Sequence, residues 1–289
     1  MDLLSFVNFY LVPGIVAGAI YALGAIGVTL VFGVLRFAHL AHGDLATFGA
    51  FLVLALVGAG MTPWLALPLA MAAAALTAIA LHHLFYAHLS RRSAILTVIS
   101  SLGVALMLRA VVQMIWGVDT ESYVSGIDRP QSYLGIRLKD RELWTLLATA
   151  GLVVGLLVFL GRTRWGKALR AMSDNPDLAA LSGIDKRLTT ALTWGLAGLL
   201  TAAAGFFLGL NTEVKPLMGW HMLLPVFAAA ILGGVGRVEG ALLGGLLIGI
   251  VEECSVLLLP AQYKSAVAFA VLLVMLSARP SGLLRGKVL

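Results

Sequence analysis

The sequence predicts an all-α, polytopic transmembrane bundle of about eight or nine spans, two of its helices broken near 36–45 and 233–240. Three observations carry that prediction. First, 60% of the 289 residues are hydrophobic and 12% charged, against about 45–50% and about 25% in soluble domains, and mean hydropathy is +0.98. Second, the apolar residues gather in runs of the roughly 20 that a membrane helix needs. Third, Lys and Arg cluster between those runs rather than within them. So few charges cannot cover so much apolar surface, so lipid must cover part of it. A soluble enzyme, a nucleic-acid-binding domain and a disordered chain are excluded.

In order, the runs lie at 9–35, 44–60, 63–87, 94–116, 143–161, 188–210, 221–236, 239–259 and 262–278. Asp2 is the only charge before Arg36, so a basic leader region is missing and the first run is expected to stay as a span. The seventh and eighth are separated by ILGGVGRVEGALLGG (231–245), where Gly233, Gly234 and Gly236 break the helix. They are either two spans or two half-helices meeting inside the membrane. Around the first break, RFAHLAHGDLATFGA (36–50) echoes 233–245: each has a break, then an acid (Asp44, Glu239), then a Gly/Ala-rich helix. Transporters carry such broken helices at corresponding points of two repeats, with the substrate path between them; two unrelated Gly-rich turns are the plainer reading.

The formal charge is +6 and the pI about 9.7. Arg91 and Arg92 follow the third run, Arg162, Arg164, Lys167, Arg170, Lys186 and Arg187 lie between the fifth and sixth, and Arg279, Arg285 and Lys287 close the chain. Placing these in the cytoplasm also brings Arg36 and Arg237 there, thirteen of 20 basic residues in all. The N-terminus is then outside, the C-terminus cytoplasmic, and the mixed-sign loop 117–142 external. One transmembrane domain spans 1–289, with a cytoplasmic segment at 162–187. The lone Cys254 excludes an intrachain disulfide.

Segment 161–187, GRTRWGKALRAMSDNPDLAALSGIDKR, reads as two short helices. In the second, Asn175 suits the N-cap, Pro176 the first turn, Asp177 the positive helix end and Gly183 a left-handed C-terminal position. A helix this short is held poorly by water alone, which points to docking against a partner; a solvated connector is the alternative. Gly161 to Ala168 matches G-x-x-x-x-G-K of phosphate-binding loops but lacks the final Ser or Thr and follows a membrane helix. Nucleotide binding by this chain is therefore not expected.

His39, His42 and Asp44 could form a three-ligand metal site, but Gly43 interrupts the helix, and a broken helix restarting near Asp44 is preferred. Glu252 and Glu253 read as a solvated helix end or a contact with an external protein, and Arg109 as a snorkelling side chain. Gly14/Gly18, Gly240/Gly244 and Gly245/Gly249 are small-xxx-small pairs that permit close helix contact. His82, His83 and His88 mark the inner end of the third run.

Four ordered landmarks make the chain resemble, nearly end to end, the LivH/LivM type of permease of branched-chain amino acid ATP-binding cassette importers, the LivH-like member above all. GAIYALGAIGVTLVFGVLRFAHLAHGDLATFGA (18–50) is similar to the family's first helix and N-F-A-H-G-[ED] turn, with His39 in place of Asn. GKALRAMSDNPDLAALSGID (166–185) resembles its coupling segment, 231–245 its Gly-rich signature, and RPSGLL (279–284) its R-P-x-G-L-F-G close. The resemblance implies a non-enzymatic transport subunit in a bacterial-type inner membrane. It implies two cytoplasmic ATPases that use ATP and Mg, a second LivM-like permease, and an extracytoplasmic substrate-binding protein, with no cofactor or metal held by this chain. Gly166, Arg170, Asn175, Pro176, Asp177, Ala179, Gly183 and Asp185 would couple to the ATPases. His39, His42, Gly43, Asp44, Gly233, Gly234, Gly236 and Glu239 would belong to the broken helices or the translocation path. The substrate would be a branched-chain or other small neutral amino acid, or urea or a short amide. A stand-alone secondary transporter or channel is the rival class.

Overall fold

A computed structural model describes residues 2–89, 93–124, 126, 129–133, 135–279 and 281–284. Arg91, Arg92, Asp128, Pro280, Arg285 and Lys287, which enter the charge and closing patterns above, lie outside the described residues.

The chain is mostly helical. Among the described residues, six helices are long and apolar enough to cross a membrane by length and composition: α1 (Leu3–Leu35), α3 (Pro63–Leu89), α4 (Ala94–Trp116), α5 (Asp140–Arg162), α8 (Lys186–Asn211) and α11 (Ala261–Ala278). Two shorter apolar helices are α2 (His42–Gly58) and α9 (Met218–Gly233), and α10 (Val238–Ser255), as long as α11, carries the acids Glu239, Glu252 and Glu253. Two more, α6 (Arg164–Asp174) and α7 (Pro176–Leu181), form the segment between α5 and α8. One two-stranded antiparallel hairpin, β1 (Gln131–Tyr133) with β2 (Ile136–Leu138), lies in the loop before α5. The sequence reading did not contain it.

Burial divides the helices. From Val16 to Val34 nearly every residue of α1 is buried, and α8 is nearly as enclosed. The peripheral helices turn large apolar side chains outward: Ile95 is 71% exposed, Met114 84%, Val154 58% and Val274 68%. An apolar shell around a well-packed centre suits lipid, which covers such side chains without cost.

Backbone contact holds the centre together. A Cβ on Gly14 would stand 2.8 Å from the Cα of Ile250, one on Gly18 2.7 Å from that of Leu246, and one on Gly245 2.6 Å from that of Ala22. Three of the four glycines in the Gly14/Gly18 and Gly245/Gly249 pairs thus let α1 and antiparallel α10 touch along their lengths, and Gly249 lies against the Gly18 backbone. With lipid as apolar as the helix surface, such close packing is the main source of helix association.

The turn at 234–237 joins antiparallel α9 and α10, and Gly234 (φ 106°) and Gly236 (φ 91°) supply its left-handed backbone. The closing residues fold back on it. Leu283 and Leu284 donate their backbone N–H groups to the carbonyls of Leu232 (2.8 Å) and Gly233 (3.2 Å), satisfying acceptors at the end of α9. Two of the sequence landmarks therefore form one structure.

Gly18→Val, driven into the α10 backbone, is expected to destabilise the detergent-solubilised protein by about 3 kcal/mol, the upper end of overpacking costs. Gly103→Ala, which enters open space on α4, is expected to leave the melting curve unchanged. Thermal unfolding followed by circular dichroism checks both.

Candidate functional site

Two helices start at mid-height in the bundle, and their first turns meet. Arg36 ends α1 in a left-handed conformation (φ 57°), its N–H donating to Phe32 O (2.9 Å). The chain then turns back inward through residues 37–41 and begins α2 at His42, beside the middle of α1 and α8. There the His42 Nε2 lies 3.1 Å from Gly24 O and 2.7 Å from Thr201 Oγ1. Thr201 donates its own hydroxyl proton to Ala197 O (2.6 Å), so the assigned tautomer carries the proton on Nε2 and donates to both.

Non-helical backbone at membrane depth is tolerated only inside protein, and an aromatic cluster supplies that cover. His39 is buried, its Nε2 3.0 Å from the Tyr86 hydroxyl and its ring edge-on to Trp194 at 4.8 Å. Tyr86 stacks on the same indole at 5.1 Å. The Leu40 N–H donates to Ser101 Oγ (3.1 Å). The His39 and His42 rings stand edge-on with centroids 5.8 Å apart and turn their Nε2 atoms to different partners. Asp44 faces away from both, toward Arg109, so the three do not converge as ligands.

The second start is α9. The run from Thr212 to Leu217 is pinned at Val214, whose backbone pairs both ways with Glu121 of the long loop (2.9 and 3.0 Å). The Gly219 N–H then donates to Thr47 Oγ1 (3.0 Å), and the backbones of Gly43 and Gly219 touch so closely that neither tolerates a Cβ. The positive ends of α2 and α9 are thereby brought together. Asp44, in the first turn of α2 with its side chain fully buried, supplies the negative charge. Arg109 of α4 grips that carboxylate with Nε (2.9 Å) and Nη2 (3.1 Å), and its guanidinium lies 4.9 Å from the Trp220 ring centroid.

This corrects two expectations. Arg109 does not snorkel: it is the counter-ion of Asp44, and a bidentate fork to a buried carboxylate outweighs the pull of the interface. The partner of the 36–45 break is not 233–245 but the start of α9 near 218, because the 234–237 turn merely reverses the chain. Gly233 lies against Gly240 across that turn, and Glu239 is exposed in the first turn of α10. A third correction concerns Glu252: it is buried (2% exposed) rather than a solvated helix end. Beside it, Glu253 pairs with Lys264 (2.5 Å).

At the opposite end from the hairpin loop, the segment between α5 and α8 is punctuated as its sequence implies. Thr163 Oγ1 accepts from Gly166 N (2.9 Å) to start α6. Gly166 sits directly on the Phe159–Leu160 backbone and fixes the turn from α5 into α6. The phosphate-loop look-alike is therefore helical from Arg164 onward. Asn175 Oδ1 accepts from Asp177 N and Leu178 N (both 3.1 Å), Gly183 takes φ 84°, and Asp185 Oδ1 accepts from Arg187 N (2.8 Å) to start α8. Ala179 is the buried face of α7, and Pro176 and Asp177 form its first turn. On the outer face Leu178 is 60% and Leu181 84% exposed. Sequence reasoning missed these two; the signal was an i, i+3 apolar pair on a helix with polar caps. Arg170 lines a cavity with Ser173, Asp174, Gly236, Arg237 and Glu239, between α6 and the 234–237 turn.

A family model described as the permease component of branched-chain amino acid transport systems matches residues 10–276. The high-affinity branched-chain amino acid transport system permease protein BraD of Pseudomonas aeruginosa is 30% identical over 291 residues, covering 95% of this chain and 94% of that one. LivH of Escherichia coli, named for the same transport system role, is 29% identical over 288 residues, covering 94% and 93%. Among solved structures, PsaBC from Streptococcus pneumoniae in complex with Fab aligns over 94% of this chain and 90% of that chain, at 14% identity and a TM-score of 0.46.

Breaking the buried pair by Asp44→Asn or Arg109→Met is expected to cost about 3–5 kcal/mol each, because the remaining charge loses its partner. The double variant is expected to recover a large part of that loss. A double-mutant cycle on unfolding in detergent measures the coupling.

Proposed function

The chain belongs to the family of permease components of branched-chain amino acid transport systems, and from that membership we propose that it is the membrane-spanning subunit of an ATP-binding cassette importer for branched-chain or other small neutral amino acids. In this reading the N-terminus and the hairpin loop are outside and the 162–187 segment is cytoplasmic. Two ATPase subunits, a second LivM-like permease and an external substrate-binding protein complete the importer. The ATPases bind ATP with Mg, and this chain holds neither.

One observation supports the reading above others. α7 is a capped, six-residue helix outside the apolar runs that presents Leu178 and Leu181 to solvent. An isolated helix of that length is marginal in water, and two bare leucines on a charged loop suit burial in a groove of a partner. α6 stands behind it and packs on α1, α5 and α8. A closing ATPase pair that displaces α7 therefore moves α6, and with it the two helices against which α2 begins. Translocation is gated, in this account, by rocking that mid-height junction between two packings rather than by unfolding it.

Gly183→Val places a β-branched residue at φ 84°. In the reconstituted importer it is expected to leave the ATPases bound while lowering ATP-driven uptake about tenfold or more. Wild-type uptake contradicts the coupling role. Leu178→Asp with Leu181→Asp is expected to release the ATPases, read by co-purification. This chain alone in liposomes is expected to show no saturable uptake; uptake there favours a stand-alone transporter or channel.

A further inference from the structure

Near the hairpin-loop end, an open cavity of about 380 Å³ lies between α1, α8, α9, α10, α11 and the segment before α9, within the range of small-molecule sites, about 300–1,000 Å³. Glu252 is part of its wall. That side chain is 98% enclosed by protein (2% exposed), yet its Oε1 has no hydrogen-bond partner among the described residues. Its neighbour is the Tyr21 phenol on α1. A buried carboxyl with an unsatisfied oxygen is costly and, at membrane depth, marks a functional position more often than a structural one.

The charges around it are unevenly matched. Lys264 is committed to Glu253 (2.5 Å), and Lys215 to Glu213 (2.6 Å) at the half-exposed mouth. Among the described residues Glu252 makes no ion pair, although Lys264 is close enough to act on its charge. Leu208, Met218, Met222 and Pro225 give the wall an apolar side, and Thr212, Glu213, His221 and Ser265 line the rest. The cavity thus offers a buried acid at its inner point, an apolar stretch of side wall and, at its mouth, two lysine–glutamate pairs whose ammonium groups keep further N–H donors.

We propose that this cavity receives a small zwitterion with an aliphatic side chain: its ammonium group at Glu252 and Tyr21, its carboxylate toward Lys264 and Lys215, and its side chain on the methionine wall. The inference rests on the importer reading and deepens it by naming the place and polarity of substrate binding. Glu252 is then a binding residue. The close packing of Gly18, Gly245 and Gly249 fixes α10 so that Glu252 reaches the cavity rather than lipid.

The test uses the whole importer in proteoliposomes. It reads ATP-driven uptake of radiolabelled L-leucine alongside ATP hydrolysis stimulated by the loaded binding protein. Glu252→Gln keeps size and hydrogen-bonding groups and removes the charge. Uptake is expected to fall about tenfold or more while stimulated hydrolysis persists, and Glu252→Asp is expected to lie between. Uptake by Glu252→Gln within about twofold of wild type overturns the site, since a merely structural role survives this isosteric change. Should that variant fail to assemble, exposed Ser265 at the mouth decides: Ser265→Cys, with Cys254→Ala, is labelled with a bulky maleimide. Blocked uptake with retained hydrolysis supports the cavity, and uptake at the unlabelled rate overturns it. A wild-type importer that hydrolyses ATP but carries neither L-leucine nor any other small neutral amino acid overturns the importer reading itself, and this inference with it, which keeps the two failures distinct.

Discussion

Two helices begin in the middle of the bundle, and the backbone N–H groups of their first turns must be satisfied where no water reaches. The contact between Gly43 and Gly219 is the constraint on which the rest depends. With no Cβ on either residue, Thr47 can approach Gly219 N and accept from it at 3.0 Å. The two positive helix ends then lie side by side, which requires a negative charge, and Asp44 is in the first turn of α2 to provide it. A fully buried carboxylate in turn requires a cation, and Arg109 reaches it from α4. Glycine contact, cap, acid and base follow from one another.

That junction is suspended between the two ends of the molecule. On one side, the Tyr123 hydroxyl of the long loop donates to Ala50 O of α2 (3.0 Å), and the Glu121–Val214 bridge holds the approach to α9. The same loop reaches α1, where Asn8 pairs with Gly135 O (3.1 Å) and Arg137 N (2.8 Å) of the hairpin. On the other side, α6 rests against α1 and α8, which carry Gly24 and Thr201, the two partners of His42. A displacement at either end has a continuous packed route to the helix starts. Interfaces of this kind switch between discrete packings rather than deforming smoothly.

Much of this was legible in the sequence. Runs of apolar residues, glycine breaks and caps are local signals, so the helices, the interruption near 36–45 and the punctuation at Asn175, Pro176 and Gly183 could be read residue by residue. The small-xxx-small pairs also named the glycines that join α1 to α10, though 32 glycines in the chain diluted the signal. The rest was long-range. Asp44 and Arg109 are 65 residues apart, and nothing local distinguishes an arginine that pairs from one that snorkels. Glu252 looked like a helix end because two adjacent acids usually seek water; only the fold of α1 and α11 around it encloses it. The aromatic cover over His39 draws on Tyr86 and Trp194, again from distant helices. Of the two readings of the echo between 36–50 and 233–245, unrelated Gly-rich turns is the one that fits, because glycine serves equally in a reversing turn and in a helix that starts at mid-height.

In the importer proposed above, α7 is the surface through which an ATPase acts on the membrane subunit. A photo-reactive amino acid placed at Leu181 in the assembled importer, irradiated in native membranes, tests this directly. A covalent adduct with the ATPase subunit is expected from position 181, and none from the same probe at Val124 in the hairpin loop. An ATPase adduct from 124 with none from 181 would contradict both the docking surface and the orientation of the chain.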